Sequence, residues 1–172
     1  MTAVDRACVE CPEVYVGSLG CPRCGAPGEP LEAEREWACE IPGPPVGKGR
    51  PRASVRGGHV RLYTPSKTAS WEGRACVVLR DAWGGLRAID GPVRLEVLAL
   101  FPRPQRMIWK RKPMPREAYT GKPDASNVLK AAEDALEKAG VYRDDKQIWS
   151  ASVVSLYCSG DETPLVWVRV RW

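Results

Sequence analysis

Residues 122–147, KPDASNVLKAAEDALEKAGVYRDDKQ, constrain this chain more than any other segment. On a helix, Val128, Leu129, Ala132, Ala135, Leu136 and Ala139 share one face, and Ser126, Lys130, Glu133 and Glu137 share the opposite one. The apolar face must be buried, and strand-like runs elsewhere supply a sheet to bury it on. Asp124 stands at the helix start, Lys130 projects from the helix, and Asp144 and Asp145 follow in the next turn. Carboxylates gathered in this way can hold a hard divalent cation through oxygen ligands. A cation beside a lysine, in a basic protein, points to work on phosphate. The plainer reading is a capped amphipathic helix followed by an acidic turn. Lys130 would then only form a weak surface salt bridge to Asp134 or Glu133.

The sheet is visible in residues 93–101, where Val93, Leu95, Val97, Ala99 and Phe101 alternate to one side. Further strands are expected over residues 37–41, 60–63, 148–157 and 166–172. A first helix is expected over residues 67–83, with Trp71, Ala75, Val78, Leu79 and Ala82 on one face. Residues 42–58 are too rich in Pro, Gly and Arg for regular structure, and residues 102–120 read as a long basic loop. Cys39, Cys76 and Cys158 read as small core residues, and Trp83, Trp149, Trp167 and Trp172 as core packing. The expected class is α/β (α+β), a mixed sheet with two main helices packed on it. It occupies residues 37–172, preceded by a linker over residues 29–36 and a small module over residues 1–28.

That module carries two C-x-x-C pairs, Cys8 with Cys11 and Cys21 with Cys24, separated by nine residues. Each pair can present two thiolates to one tetrahedral ion. The spacing resembles a zinc ribbon or knuckle. Disulfides are the competing account, and a cytosolic setting argues against them. Four protein ligands leave no open position, so Zn²⁺ here would be structural.

The formal net charge of +5 is unevenly distributed. Residues 48–67 hold six Lys or Arg and no acid, and residues 103–122 hold seven against Glu117 alone. Such runs can line a phosphate-binding surface or simply keep loops solvated. The candidates for nucleic-acid contact are Lys48, Arg50, Arg52, Arg106, Lys110, Arg111 and Lys112. No run is long and apolar enough for a membrane span, and no signal peptide is apparent. The expected setting is cytoplasmic, with reduced thiols.

Three ordered segments carry a resemblance to a known family. They are PD-x-x-N-x-x-K-x-x-x-DAL followed by DD-x-Q, IPGPPVGKGRPRASVRGGHVRLYTP over residues 41–65, and GPVRLEVLALFPRP over residues 91–104. From residue 41 to the C-terminus the chain resembles the RusA family of Holliday-junction resolvases, phage-type; residues 1–36 lie outside the likeness. The resemblance implies a homodimer that cuts four-way DNA junctions with Mg²⁺ or Mn²⁺. It carries Asp124 and Asp145 over as metal ligands, Lys130 as the family's lysine, and Asp144 as support for the turn.

One departure matters. Relatives have a second aspartate where this chain has Ser126, and losing a carboxylate weakens a site that depends on charge count. Glu133, on the same helix face, could return one. From position 126 to 133 is about 10.5 Å along the helix axis, so the helix would have to lie across the site. Three readings therefore stand: a crossover junction endodeoxyribonuclease, a junction-binding protein disabled by Ser126, and a broader branched or flap nuclease. His59, the sole histidine, reads as a loop or DNA-contact residue, and Trp109 or Tyr119 as a stacking wedge.

Overall fold

The computed structural model describes residues 5–8, 14–16, 24, 28–30, 35–109 and 114–172. The chain forms two compact units, Met1–Arg35 and Glu36–Trp172. In the first, strands β1 (Asp5–Cys8), β2 (Val14–Val16) and β3 (Gly28–Pro30) make an antiparallel sheet in the order β2-β1-β3. Cys8 ends β1 and is the register partner of Gly28. Cys24 lies in an exposed turn, whereas Cys11 and Cys21 fall outside the described residues.

The second unit runs β4 (Glu36–Pro42), β5 (Arg52–Arg56), β6 (His59–Tyr63), α1 (Ser66–Trp83), β7 (Val93–Phe101), β8 (Glu117–Ala118), α2 (Ala125–Ala139), β9 (Ile148–Tyr157) and β10 (Leu165–Arg171). Five strands form one sheet in the order β4-β10-β7-β9-β8. It is mixed: β7 and β9 are parallel, and the other neighbours are antiparallel. Parallel neighbours need a crossover connection, and α2 lies within the one joining β7 to β9. The mixed α+β architecture expected from the sequence is therefore present.

Strand alternation sends Val93, Leu95, Val97 and Ala99 of β7 and Val166, Val168 and Val170 of β10 into one core. Trp71, Ala75, Leu79 and Trp83 of α1 meet them there, with Val128, Ala131, Ala132, Ala135 and Leu136 of α2. Four of the buried positions on α2 are alanines, counting Ala139, and alanine lets a helix lie close to its neighbours. Trp37 and Trp172 both pack edge-on against Trp83. On α1 the buried face differs from expectation at two positions: Ala82 is exposed and Glu72 is buried, while Trp83 is buried as expected. Trp149 is 66% exposed and takes no part in the core; it is the extra residue where the register shifts, Val93 pairing with Ile148 and Arg94 with Ser150. Cys158 is buried, and Cys39 and Cys76 are half-buried.

Residues 52–56, expected to be irregular, form β5 and pair with β6 around Gly57 and Gly58. Both glycines have positive φ, 60° and 78°. Two-residue hairpin turns that match strand twist require that geometry, and glycine adopts it without penalty. This hairpin is a two-stranded sheet of its own. Among the described residues, no helix is long and apolar enough to cross a membrane.

Candidate active site

Helix α2 begins at Asp124, whose backbone is extended and whose Oδ1 accepts from the Asn127 amide at 3.0 Å. Ser126 Oγ donates to the same oxygen at 3.2 Å. Oδ2 takes part in neither bond. Asp124 is thus a helix cap in the usual sense, made by one of its two carboxylate oxygens. Ser126 stands beside it as a hydroxyl neighbour.

One and a half turns further on, Lys130 Nζ reaches Asp145 Oδ2 at 2.7 Å and Glu133 Oε2 at 3.2 Å. The two carboxylates face each other across a single ammonium. The hydrogen bond to Asp145 is the largest influence holding the Lys130 ammonium well above the usual lysine range; burial opposes it, and Glu133 adds to it. Glu133 is also the less exposed acid, and its backbone carbonyl accepts from the buried Tyr142 hydroxyl at 2.9 Å. Burial, with the surrounding carboxylates, pushes that phenol far above its ordinary range.

The turn that presents Asp145 is fixed by its neighbours. Asp144 Oδ1 accepts from the Lys146 amide at 2.9 Å, closing a capping box with Gln147. Gln147 Oε1 accepts from the amides of Arg143 at 2.8 Å and Asp144 at 3.1 Å. Its Nε2 donates to the carbonyls of Ile89 at 2.8 Å and Gly91 at 2.9 Å. Asp144 holds the turn, Asp145 faces Lys130, and Gln147 ties both to the entry of β7.

Among the cationic candidates, Arg50 and Arg106 are exposed and Arg52 opens β5. Lys110, Arg111 and Lys112 lie outside the described residues. Lys48 is committed inward: Nζ meets Glu72 Oε1 at 2.8 Å and also pairs with Asp134. Glu72 is buried at 4% exposure and binds Lys138 as well. Burial alone would raise the Glu72 carboxyl, but Lys138 and Lys48 outweigh it and hold it below the usual range.

A groove of about 540 Å³ opens beside Pro123 and holds Arg50, Lys67 and Lys122 with no acid among its lining residues. Sequence reading missed Lys67 and Lys122 as members of a site. The three cations come from three separated segments, and only the fold brings them together. Gly47 and Gly49 line this groove too, and a Cβ on Gly47 would overlap the Pro123 ring. Tyr119 stacks on Phe101 at 3.6 Å and packs on Tyr157, so its ring is engaged within the protein, whereas Trp109 is about half exposed.

Among the described residues, no three His, Cys, Asp or Glu side chains are gathered tightly enough to hold a metal between them. Mg²⁺ does not require such a cage: it keeps several waters and commonly binds one or two carboxylates together with substrate phosphate. Asp124, next in sequence to the groove residue Pro123, and Asp145, paired with Lys130, each offer hard carboxylate oxygens of the kind that mode of binding uses.

A family model described as "Endodeoxyribonuclease RusA" matches residues 42–171. The chain is 31% identical over 134 residues to "Uncharacterized protein YqaN" of Bacillus subtilis (strain 168), covering 75% of this chain and 91% of that protein. It is 28% identical over 125 residues to "Crossover junction endodeoxyribonuclease RusA" of Aquifex aeolicus (strain VF5), covering 73% and 84%.

Proposed function

Because this chain belongs to the RusA endodeoxyribonuclease family, we propose that it resolves four-way DNA junctions by paired symmetric phosphodiester cuts. The observation that carries this reading is Lys130, held between Asp145 and Glu133 on the helix capped by Asp124, whose preceding residues Lys122 and Pro123 line a groove with Arg50 and Lys67. Asp124 and Asp145, with Glu133 as the added carboxylate, would hold Mg²⁺ or Mn²⁺. Such an ion supplies a water of lowered pKa and offsets charge on the leaving oxygen. Lys130 carries positive charge to the place where the phosphate becomes more negative, a preorganised stabilisation that costs no rearrangement during reaction. Arg50, Lys67 and Lys122 hold the strand by its phosphates, joined by Arg52, Arg106, Lys110, Arg111 and Lys112 at the arms. Lys48 acts at one remove, tying the loop that carries Arg50 to α1 and α2. Two symmetric cuts need two sites, so the working form is a homodimer.

Cys8, Cys11, Cys21 and Cys24 hold one structural Zn²⁺ in this reading, within the first unit, Met1–Arg35. Their spacing supports it. So does the sheet register, in which Cys8 pairs with Gly28, four residues past Cys24. The protein works where its DNA is, in the cytoplasm of a bacterial or phage-infected cell.

A second reading rests on one observation: Ser126, two residues beyond Asp124, offers a hydroxyl bonded to Asp124 rather than a carboxylate. On that reading the protein grips junctions and cuts them poorly.

Cleavage of a labelled synthetic four-way junction in Mg²⁺ or Mn²⁺, beside plain duplex and an Asp124→Asn control, separates the two. Paired nicks confined to the junction and absent in the control establish the resolvase. Tight binding without cleavage in either metal assigns the junction-binding role.

A further inference from the structure

Hairpin β5–β6 stands apart from the main sheet, and its register divides it into two unlike faces. Arg52 pairs with Tyr63, Ser54 with Arg61, and Arg56 with His59; between them Ala53 pairs with Leu62, and Val55 with Val60. Directly opposed residues of an antiparallel pair share a face, and successive pairs alternate. One face therefore holds Arg61, His59, Ser54 and Tyr63, at the register positions shared with Arg52 and Arg56. The other holds only alanine, valine and leucine. Both are open: Arg61 and His59 are exposed, and Val55 and Leu62 are each 72% exposed.

We propose that this ribbon is a duplex-gripping arm whose cationic face, centred on Arg61, lies against the phosphate backbone of a DNA duplex. The inference rests on the junction-nuclease reading and adds to it the element that engages an arm of the substrate. Charge selects the partner. Residues 48–67 contain no acid, so the ribbon attracts a polyanion and repels another basic surface. Size agrees as well: five residues span about 17 Å, and two paired strands fit the major groove of a duplex. A lone hairpin is marginal in water, and a partner that neutralises its arginines would steady it.

The feet of the ribbon are anchored beside the site. The Lys48 amide donates to the Asn127 carbonyl at 2.8 Å, three residues from Asp124. Thr68 Oγ1 accepts from the Gly49 amide at 3.2 Å and donates to the Gly47 carbonyl at 3.3 Å. At the other foot, Pro65 caps α1 and its carbonyl accepts from the Ala69 amide at 3.0 Å. A duplex held by the ribbon is thereby held at a set distance from Asp124.

Anisotropy of a labelled four-way junction, titrated with the full chain across a salt series without added divalent cation, tests the arm. Wild type is compared with Arg61→Gln and with Leu62→Ser on the opposite face, and sedimentation reports oligomeric state. The expected result is a roughly fivefold weaker affinity for Arg61→Gln at about 0.1 M salt, with the slope of log affinity against log salt reduced by about one. Leu62→Ser should change neither affinity nor assembly. If wild type binds junctions and Arg61→Gln matches it in affinity and slope, the arm is overturned while the nuclease reading stands. Loss of affinity or a changed oligomer in Leu62→Ser, with Arg61→Gln silent, means that a second copy of the chain occupies the ribbon, which also overturns the arm. A wild-type protein that binds no junction at any salt overturns the nuclease reading itself.

Discussion

Lys130 and Asp145 stand 15 residues apart in sequence and meet at 2.7 Å across the gap between α2 and the following turn. The pair is half exposed, so its direct contribution to stability is small. Its chemical value lies elsewhere: the lysine remains charged at any working pH, beside a carboxylate suited to a cation. Lys130→Gln should lower the single-turnover cleavage rate by about 10²-fold or more. Junction affinity should change only severalfold, and the thermal midpoint little. Burst kinetics with anisotropy on the same preparation check both halves.

Ser126 and Glu133 give opposed expectations under the two readings of activity. If Glu133 supplies the missing carboxylate, Glu133→Gln removes most cleavage, on the order of 10²-fold. Ser126→Asp then changes the rate only modestly. If the site is disabled, Ser126→Asp creates paired nicking from a low background. Rates for both variants over a range of Mg²⁺ and Mn²⁺ concentrations decide between them.

Glu72 is the buried centre of an ion cluster, bonded to Lys48 and Lys138 and linked through Lys48 to Asp134. It joins α1, α2 and the loop bearing Arg50. Its lysine partners are 28% and 52% exposed and regain water when Glu72 loses its charge, so Glu72→Gln should cost about 1–2 kcal/mol in urea unfolding. Cleavage should fall as well, because the loop at the cationic groove loses its tether.

Acid sensitivity has a local source at Glu162, which binds Arg116 and accepts from the Ser159 amide at 2.8 Å. Arg116 is the main cause holding this carboxyl down at about 2. A folded value below the unfolded one, near 4.5, gives stability that is present above about pH 4.5 and lost as pH falls toward 2. Solvent screening at the exposed Arg116 limits it to about 1 kcal/mol. Glu162→Gln should flatten that part of the stability–pH curve without changing stability at pH 7 by more than the same amount. Urea midpoints at several pH values below 5 test this.

Zinc should co-purify at about one ion per chain, and Cys21→Ser or Cys24→Ser should abolish it. Atomic emission on dialysed protein gives the count. A metal-free protein would return residues 1–28 to the disulfide account.

The chain's periodicities made much of the fold legible. The bounds of β7 and β9 are those expected from the sequence, and α2 buries Val128, Ala132, Ala135, Leu136 and Ala139 of the apolar face read for it. Local pattern failed where its signals conflict. Pro51 and the Gly57–Gly58 turn made residues 42–58 look irregular, although two glycines between alternating residues are themselves a hairpin signal. Trp149 looked like core by size, yet it is the extra residue at the register shift in β9 and stands exposed. The inward commitment of Lys48 was illegible, because its partners Glu72 and Asp134 come from two helices that only the packed fold brings together. For the same reason, the groove around Lys67 and Lys122 could not be read from charge runs.

Gln147 engages both ends of its amide, accepting from two backbone amides and donating to two carbonyls. No other side chain of similar size pairs an atom that accepts twice with one that donates twice. Glutamate would set a charge against the carbonyls of Ile89 and Gly91, and methionine would leave all four backbone groups unanswered. This position is therefore a gauge block. It sets the spacing between the β7 entry and Asp145 without touching a reactant, so mutational drift here would cost accuracy of alignment before it cost any ligand.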